Sequence, residues 1–126
     1  MFSIHSTSSS NELVFSSFNQ EYFRVELKGN VTGSIEVWAY TDIKALLTFF
    51  QTLAKASKPW KGEQSWASIE EDFSISASCS SLGQVTFEVT LWGFPGDPEE
   101  WKIKTGLVSE FGQLPKIGKR AEAFFI

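Results

Sequence analysis

At 126 residues the chain has the length of one domain, and it buries enough surface to hold a core without staples. Apolar residues make up 42% of it, with twelve Phe and five Trp, which excludes disorder over most of its length. One cysteine excludes an internal disulfide framework and a multi-cysteine zinc site, and a net charge of −4 makes nucleic acid a poor partner.

The Ser-rich start, residues 1–10, has neither a basic flank nor an apolar run long enough for a leader peptide, and reads as a flexible tail before a single domain over 11–126. Leu13 and Phe15 mark a first short strand. Glu21 to Lys28 alternates, with Phe23, Val25 and Leu27 on one face and Arg24, Glu26 and Lys28 on the other. This is the pattern of a half-buried strand. Gly29-Asn30 turns the chain into a third strand, Thr32 to Tyr40.

The period then changes. Thr41 or Asp42 caps a helix in which Ile43, Leu46, Leu47, Phe50 and Leu53 recur at helical spacing, and Pro59 stops it. A loop from Lys58 to Trp66 follows. Strands are then predicted over Ile69 to Ser78, through Val85, Phe87, Val89 and Leu91, and through Trp101, Ile103, Thr105 and Leu107. Ser80 to Gly83 and Phe94 to Pro98 supply the turns. A last helix spans about Gln113 to Phe125, with Leu114, Ile117, Ala121 and Phe124 as its stripe. The order βββα-βββα, with hairpin-length links, predicts an α+β fold. It would have one curved antiparallel sheet of about six strands and both helices on one face. The two halves read as a distant repeat.

No catalytic set assembles. His5 is the only histidine and falls in the tail. Cys79 continues an inward register, as an inert packed thiol does. Glu70, Glu71 and Asp72 are adjacent in a predicted strand, where Glu71 alone follows the inward register. No glycine-rich phosphate loop, metal-ligand helix motif or dinucleotide fingerprint occurs. The expectation is a binding protein rather than an enzyme, with no cofactor, no metal and no membrane partner.

Charge and aromatic content give the binding surface its address. Residues 1–63 carry six basic and six acidic side chains, whereas 64–126 carry five and nine. The excess comes from Glu70, Glu71, Asp72, Asp97, Glu99 and Glu100, and it suits a basic protein. Trp38, Tyr40 and Trp92 fall on outward strand positions, beside Arg24 and Glu88, and exceed what a solvated sheet face needs. Trp60 and Trp66 flank a Gly turn together with Glu63. The candidate partner-binding residues are therefore Arg24, Trp38, Tyr40, Trp60, Glu63, Trp66, Glu70, Asp72, Glu88 and Trp92. The same rings serve equally to cover a sheet edge, to hold a loop down or to line a small-ligand site. A carboxylate-pair enzyme using Glu63, Glu70 and Glu71 is the remote alternative. Monomer and homodimer both stay open.

The run Ser34 to Tyr40, then Leu46 to Leu53, Trp60-Lys-Gly-Glu63, Trp66 to Glu70, Leu82 to Leu91, Trp101, Gln113-Leu114 and Phe124-Phe125 resembles a family of small uncharacterised bacterial proteins. That family is similar in layout to the immunity proteins that protect bacteria from wall-associated contact-dependent toxins. The resemblance spans about residues 11 to 126 and implies a cytoplasmic protein that blocks a toxin's active surface. It supplies no catalytic residues. At Glu71-Asp72 the family pattern has Gly-Asp, so a turn at Glu71 is not carried over.

Overall fold

The computed structural model describes all 126 residues as eight strands and two helices. The first half is a meander of β1 (Phe2–His5), β2 (Glu12–Ser16), β3 (Tyr22–Lys28) and β4 (Gly33–Trp38), followed by α1 (Ile43–Lys55). The second half repeats that plan with β5 (Glu63–Ala67), β6 (Phe73–Cys79), β7 (Gln84–Gly93) and β8 (Trp101–Glu110), followed by a 3-10 turn and α2 (Leu114–Phe125). Each meander is its own antiparallel four-stranded sheet, ordered β1-β2-β3-β4 and β5-β6-β7-β8. The α+β class holds, but the single six-stranded sheet is corrected to two sheets.

Hydrogen bonding breaks between β4 and β5, and each sheet gains one strand that was not expected. Phe2–His5, expected in a tail, pairs with β2 in the register Phe2↔Phe15 to His5↔Glu12, and Phe2 and Ile4 enter the core. Glu63–Ala67, expected in a loop, is an edge strand on β6 in which Trp66 alone is buried. The predicted alternation of the other strands reappears, with Phe23, Val25, Leu27, Phe73, Ile75, Ala77, Val85, Phe87, Val89 and Leu91 all buried.

Both sheets and both helices share one core of 26 buried residues. Phe15 sits at its centre, edge-on to Phe50 of α1, Phe73 of β6 and Phe125 of α2, with ring centroids 5.9 to 6.0 Å apart. Each such aromatic pair adds about 0.5–1.5 kcal/mol to the burial of its rings. The helices pack on each other where Gly118 lies against Ala54 and the Phe50 carbonyl; a Cβ at Gly118 would approach the Ala54 Cβ to 2.5 Å. Helix α1 buries Phe49 in place of the expected Ile43. Neither helix is long and apolar enough to cross a membrane.

One exposed sheet edge is closed by the other sheet. The β1–β2 turn lies along β8, where Thr7 N–H donates to the Val108 carbonyl at 2.9 Å and Val108 N–H donates to Ser6 Oγ at 3.1 Å. Asn11 Nδ2 donates to the Gly106 carbonyl at 2.9 Å. These contacts satisfy backbone groups that an open edge would offer to another chain.

Candidate functional site

In a meander, alternate turns fall at the same end of the sheet. The β5–β6 turn (68–72) and the β7–β8 turn (94–100) therefore lie together, and the Asp72 carbonyl accepts the Trp92 N–H at 2.8 Å. These turns hold Glu70, Glu71, Asp72, Asp97, Glu99 and Glu100, and neither contains a Lys or Arg. The chain's ion pairs are His5–Glu12, Lys28–Glu26 and Lys104–Glu88, so none of the six carboxylates is neutralised by a salt bridge. Asp72 accepts from Ser68 Oγ at 2.6 Å, Asp97 from Glu99 N–H at 2.9 Å, and Glu100 from Gly96 N–H. Single neutral donors orient these groups and leave their charge in place.

Apolar side chains stand among the carboxylates. Phe94 and Ile69 are 64% and 47% exposed, although neither lies at a chain end. Two residues of the same turns hold left-handed backbone, Glu71 at φ 60° and Phe94 at φ 51°. A residue with a Cβ pays about 1 kcal/mol or more for that conformation. The inward position and strand conformation expected of Glu71 are corrected, because it turns the chain and points to solvent.

Behind Phe94 lies a groove of about 440 Å³ between the outer edge of the first sheet and the end of the second. Its walls include Arg24 and Glu36, which face each other across β3 and β4, together with Asp72, Trp92, Phe94 and Trp101. Arg24 Nη1 donates to Ser34 Oγ at 3.2 Å and reaches no carboxylate, so Glu36 is also unpaired. The ring of Trp101 lies over Gly93, its cross-strand partner, in space that a side chain would fill. Lys102 Nζ stands 4.6 Å from the Trp92 ring centroid, a cation–π contact across β7 and β8. The Trp92 indole N–H is buried and has no acceptor in the chain.

The remaining predicted residues are dispersed. Trp66 is a core residue, 8% exposed, whose Nε1 donates to Asp42 Oδ2 at 3.1 Å; its place on a binding surface is corrected. That bond also redirects Asp42, which occupies the α1 cap position without capping it. Trp60 packs against the core and, with Glu63 and Cys79, lines a depression at the opposite end of the second sheet. Its indole N–H likewise has no acceptor. Partial burial pushes the Cys79 thiol above its ordinary value. Glu88 pairs with Lys104 at 3.2 Å in the middle of the outer face. Trp38 is half-buried and stacks on the exposed Tyr40 with centroids 6.2 Å apart. Of the ten, the groove and its rim gather Arg24, Glu70, Asp72 and Trp92.

Sequence reasoning missed Glu36, Phe94 and Trp101 as site residues. Phe94 carried the one available signal, a large ring inside a Pro-Gly turn where a polar residue is normal. His5, expected in a tail with no fixed partner, lies 3.1 Å from Glu12 and 3.4 Å from Ser3 Oγ. Both contacts meet Nε2, whereas a relay needs its two partners on different ring nitrogens. No three His, Cys, Asp or Glu side chains converge as a metal site would require.

Residues 5–126 match the model of a family of unknown function (DUF6228), and the chain belongs to that family. No curated protein and no solved structure matches it.

Proposed function

We propose that this DUF6228 member is a non-enzymatic, cytoplasmic binding protein, an immunity-type inhibitor that covers a basic surface of a bacterial toxin domain. The observation that carries the reading is the unpaired acidic end of the second sheet, with six carboxylates in two turns around Phe94 and Ile69. Uncompensated charge of one sign speeds encounter with a partner of the other sign, and exposed rings supply the desolvated anchors that hold it. The resemblance of Ser34 to Tyr40 and the later Trp motifs to a family of small bacterial proteins laid out like immunity proteins points the same way.

Co-expression tests it. A toxin domain encoded beside a family member is expressed with its cognate chain, and growth is followed. The proposal expects protection by the native chain and its loss when Glu70, Asp97, Glu99 and Glu100 are replaced by Gln or Asn. Equal protection by the neutralised chain would refute the acidic end as the inhibitory surface. A second reading, a small-ligand domain, draws on the 440 Å³ groove and the unpartnered Trp92 N–H. It expects a small metabolite to raise the melting temperature in the absence of any protein partner.

A further inference from the structure

The groove has a chemistry of its own, distinct from the acidic rim around it. Its walls combine aromatic rings with two carboxylates, Glu36 from the first sheet and Asp72 from the second; neither forms an ion pair, although Arg24 faces Glu36 across β3 and β4. Arg24 is the only cation in the lining, and its Nη1 is committed to Ser34 Oγ. The lining sums to −1, Lys102 beside the Trp92 ring offsets that charge, and the negative field comes from Glu70, Glu71, Asp97, Glu99 and Glu100 of the rim. One ring of the wall already holds a cation, since Lys102 Nζ lies over Trp92. Rings beside carboxylates under a negative rim match a flat, permanently charged group. A guanidinium stacks on aromatic faces and hydrogen-bonds carboxylates in its own plane, whereas an ammonium keeps its water and acts as a point charge.

We propose that the groove between β4 and the β7–β8 turn is an arginine-anchoring pocket, which takes one arginine side chain displayed by the basic partner between Glu36, Asp72 and the rings of Trp92, Phe94 and Trp101. This rests on the binding reading above and names the partner's anchor. The rim steers the partner in, and the groove selects arginine over lysine. Trp92 reports the event, because its side chain lines the groove and its buried indole N–H has no acceptor in the chain.

The test is titration of the full chain with N-acetyl-arginine amide, followed through the Trp92 indole N–H resonance, which is assigned by its absence in Trp92→Phe. The expected result is a saturable shift, with the neutral isostere N-acetyl-citrulline amide binding roughly tenfold more weakly. Lysine amide is expected to be weaker than arginine amide, and Glu36→Gln and Asp72→Asn are each expected to loosen arginine severalfold. Glu36 is exposed on the outer face, so its variant keeps the fold. Absence of a saturable shift, or an equal response to citrulline or lysine amide, would overturn the anchor. So would an unchanged affinity in both carboxylate variants. Protection against a toxin with a failed titration leaves the inhibitor reading standing and removes the arginine pocket. A successful titration without protection does the reverse.

Discussion

Gly93→Ala is the most direct perturbation of the wall that joins the two sheets at the groove. Gly93 pairs with Trp101 across β7 and β8, and the Trp101 indole fills the space where a Cβ of residue 93 would stand. A methyl group there would stand inside the ring's van der Waals envelope, with the nearest atoms belonging to a large planar side chain that cannot swing aside as a flexible tip would. Trp101 is hemmed in by Gly33 as well, whose own added Cβ would reach the Ile103 Cδ1 at 2.6 Å and the Trp101 ring at 3.5 Å. Overpacking the space that this ring fills costs about 1–3 kcal/mol. At roughly 2 cal/mol/K of unfolding entropy per residue, 2 kcal/mol lowers the melting temperature of a chain this long by about 7 °C. Gly106→Ala is the matched control. It lies on the same strand as Trp101, and its nearest neighbours are at 3.7 and 3.9 Å, so it is expected within about 0.5 kcal/mol of the native chain. Thermal denaturation followed by circular dichroism reads both. If Gly93→Ala melts with the native chain, Trp101 does not cover that position and the groove wall is wrongly drawn.

Asp42→Ala leaves the indole N–H of buried Trp66 without an acceptor, and is expected to cost about 1–3 kcal/mol in urea denaturation. Asp42→Asn keeps an acceptor and should recover most of that loss. Glu71→Gly relieves left-handed backbone in an open turn and is expected to raise stability by up to about 1 kcal/mol, whereas Glu71→Val lowers it; equal melting of the two would contradict the turn. Burial raises the Cys79 thiol, so the folded chain holds that proton to higher pH than the unfolded chain. The resulting linkage makes stability fall as pH climbs past the ordinary cysteine value towards the raised one. Iodoacetamide alkylation should follow the same shift, and a rate already at plateau below the ordinary value would contradict it.

Much of the fold was legible because alternation is a local property. Phe23 to Leu27, Phe73 to Ala77 and Val85 to Leu91 announce which face is buried before any partner is known. The strands that escaped lack that signal. In β5 only Trp66 is apolar and buried, as befits an edge strand, and Phe2 and Ile4 of β1 are followed by a run of serines. Two sheets were read as one because pattern gives each strand's faces but not the break in hydrogen bonding between β4 and β5. The acidic excess of the second half was visible as composition. Its concentration at one end follows from meander topology, which only pairing reveals. The groove was not legible at all, since Glu36 and Arg24 meet Trp92 and Asp72 through the crossing of two sheets from different halves of the chain. Trp66 and Trp92 look alike in sequence, and only the Asp42 acceptor and the Lys102 cation separate a core ring from a wall ring.

If the acidic end of the second sheet recruits a basic protein, long-range charge sets how fast the two meet. The association rate of the chain with its cognate toxin domain, measured against ionic strength, tests it most directly. The rate is expected to fall roughly tenfold or more from low to half-molar salt. The variant with Glu70, Asp97, Glu99 and Glu100 neutralised is expected to start slow and hardly respond. A fast rate indifferent to salt, shared by both proteins, would contradict it.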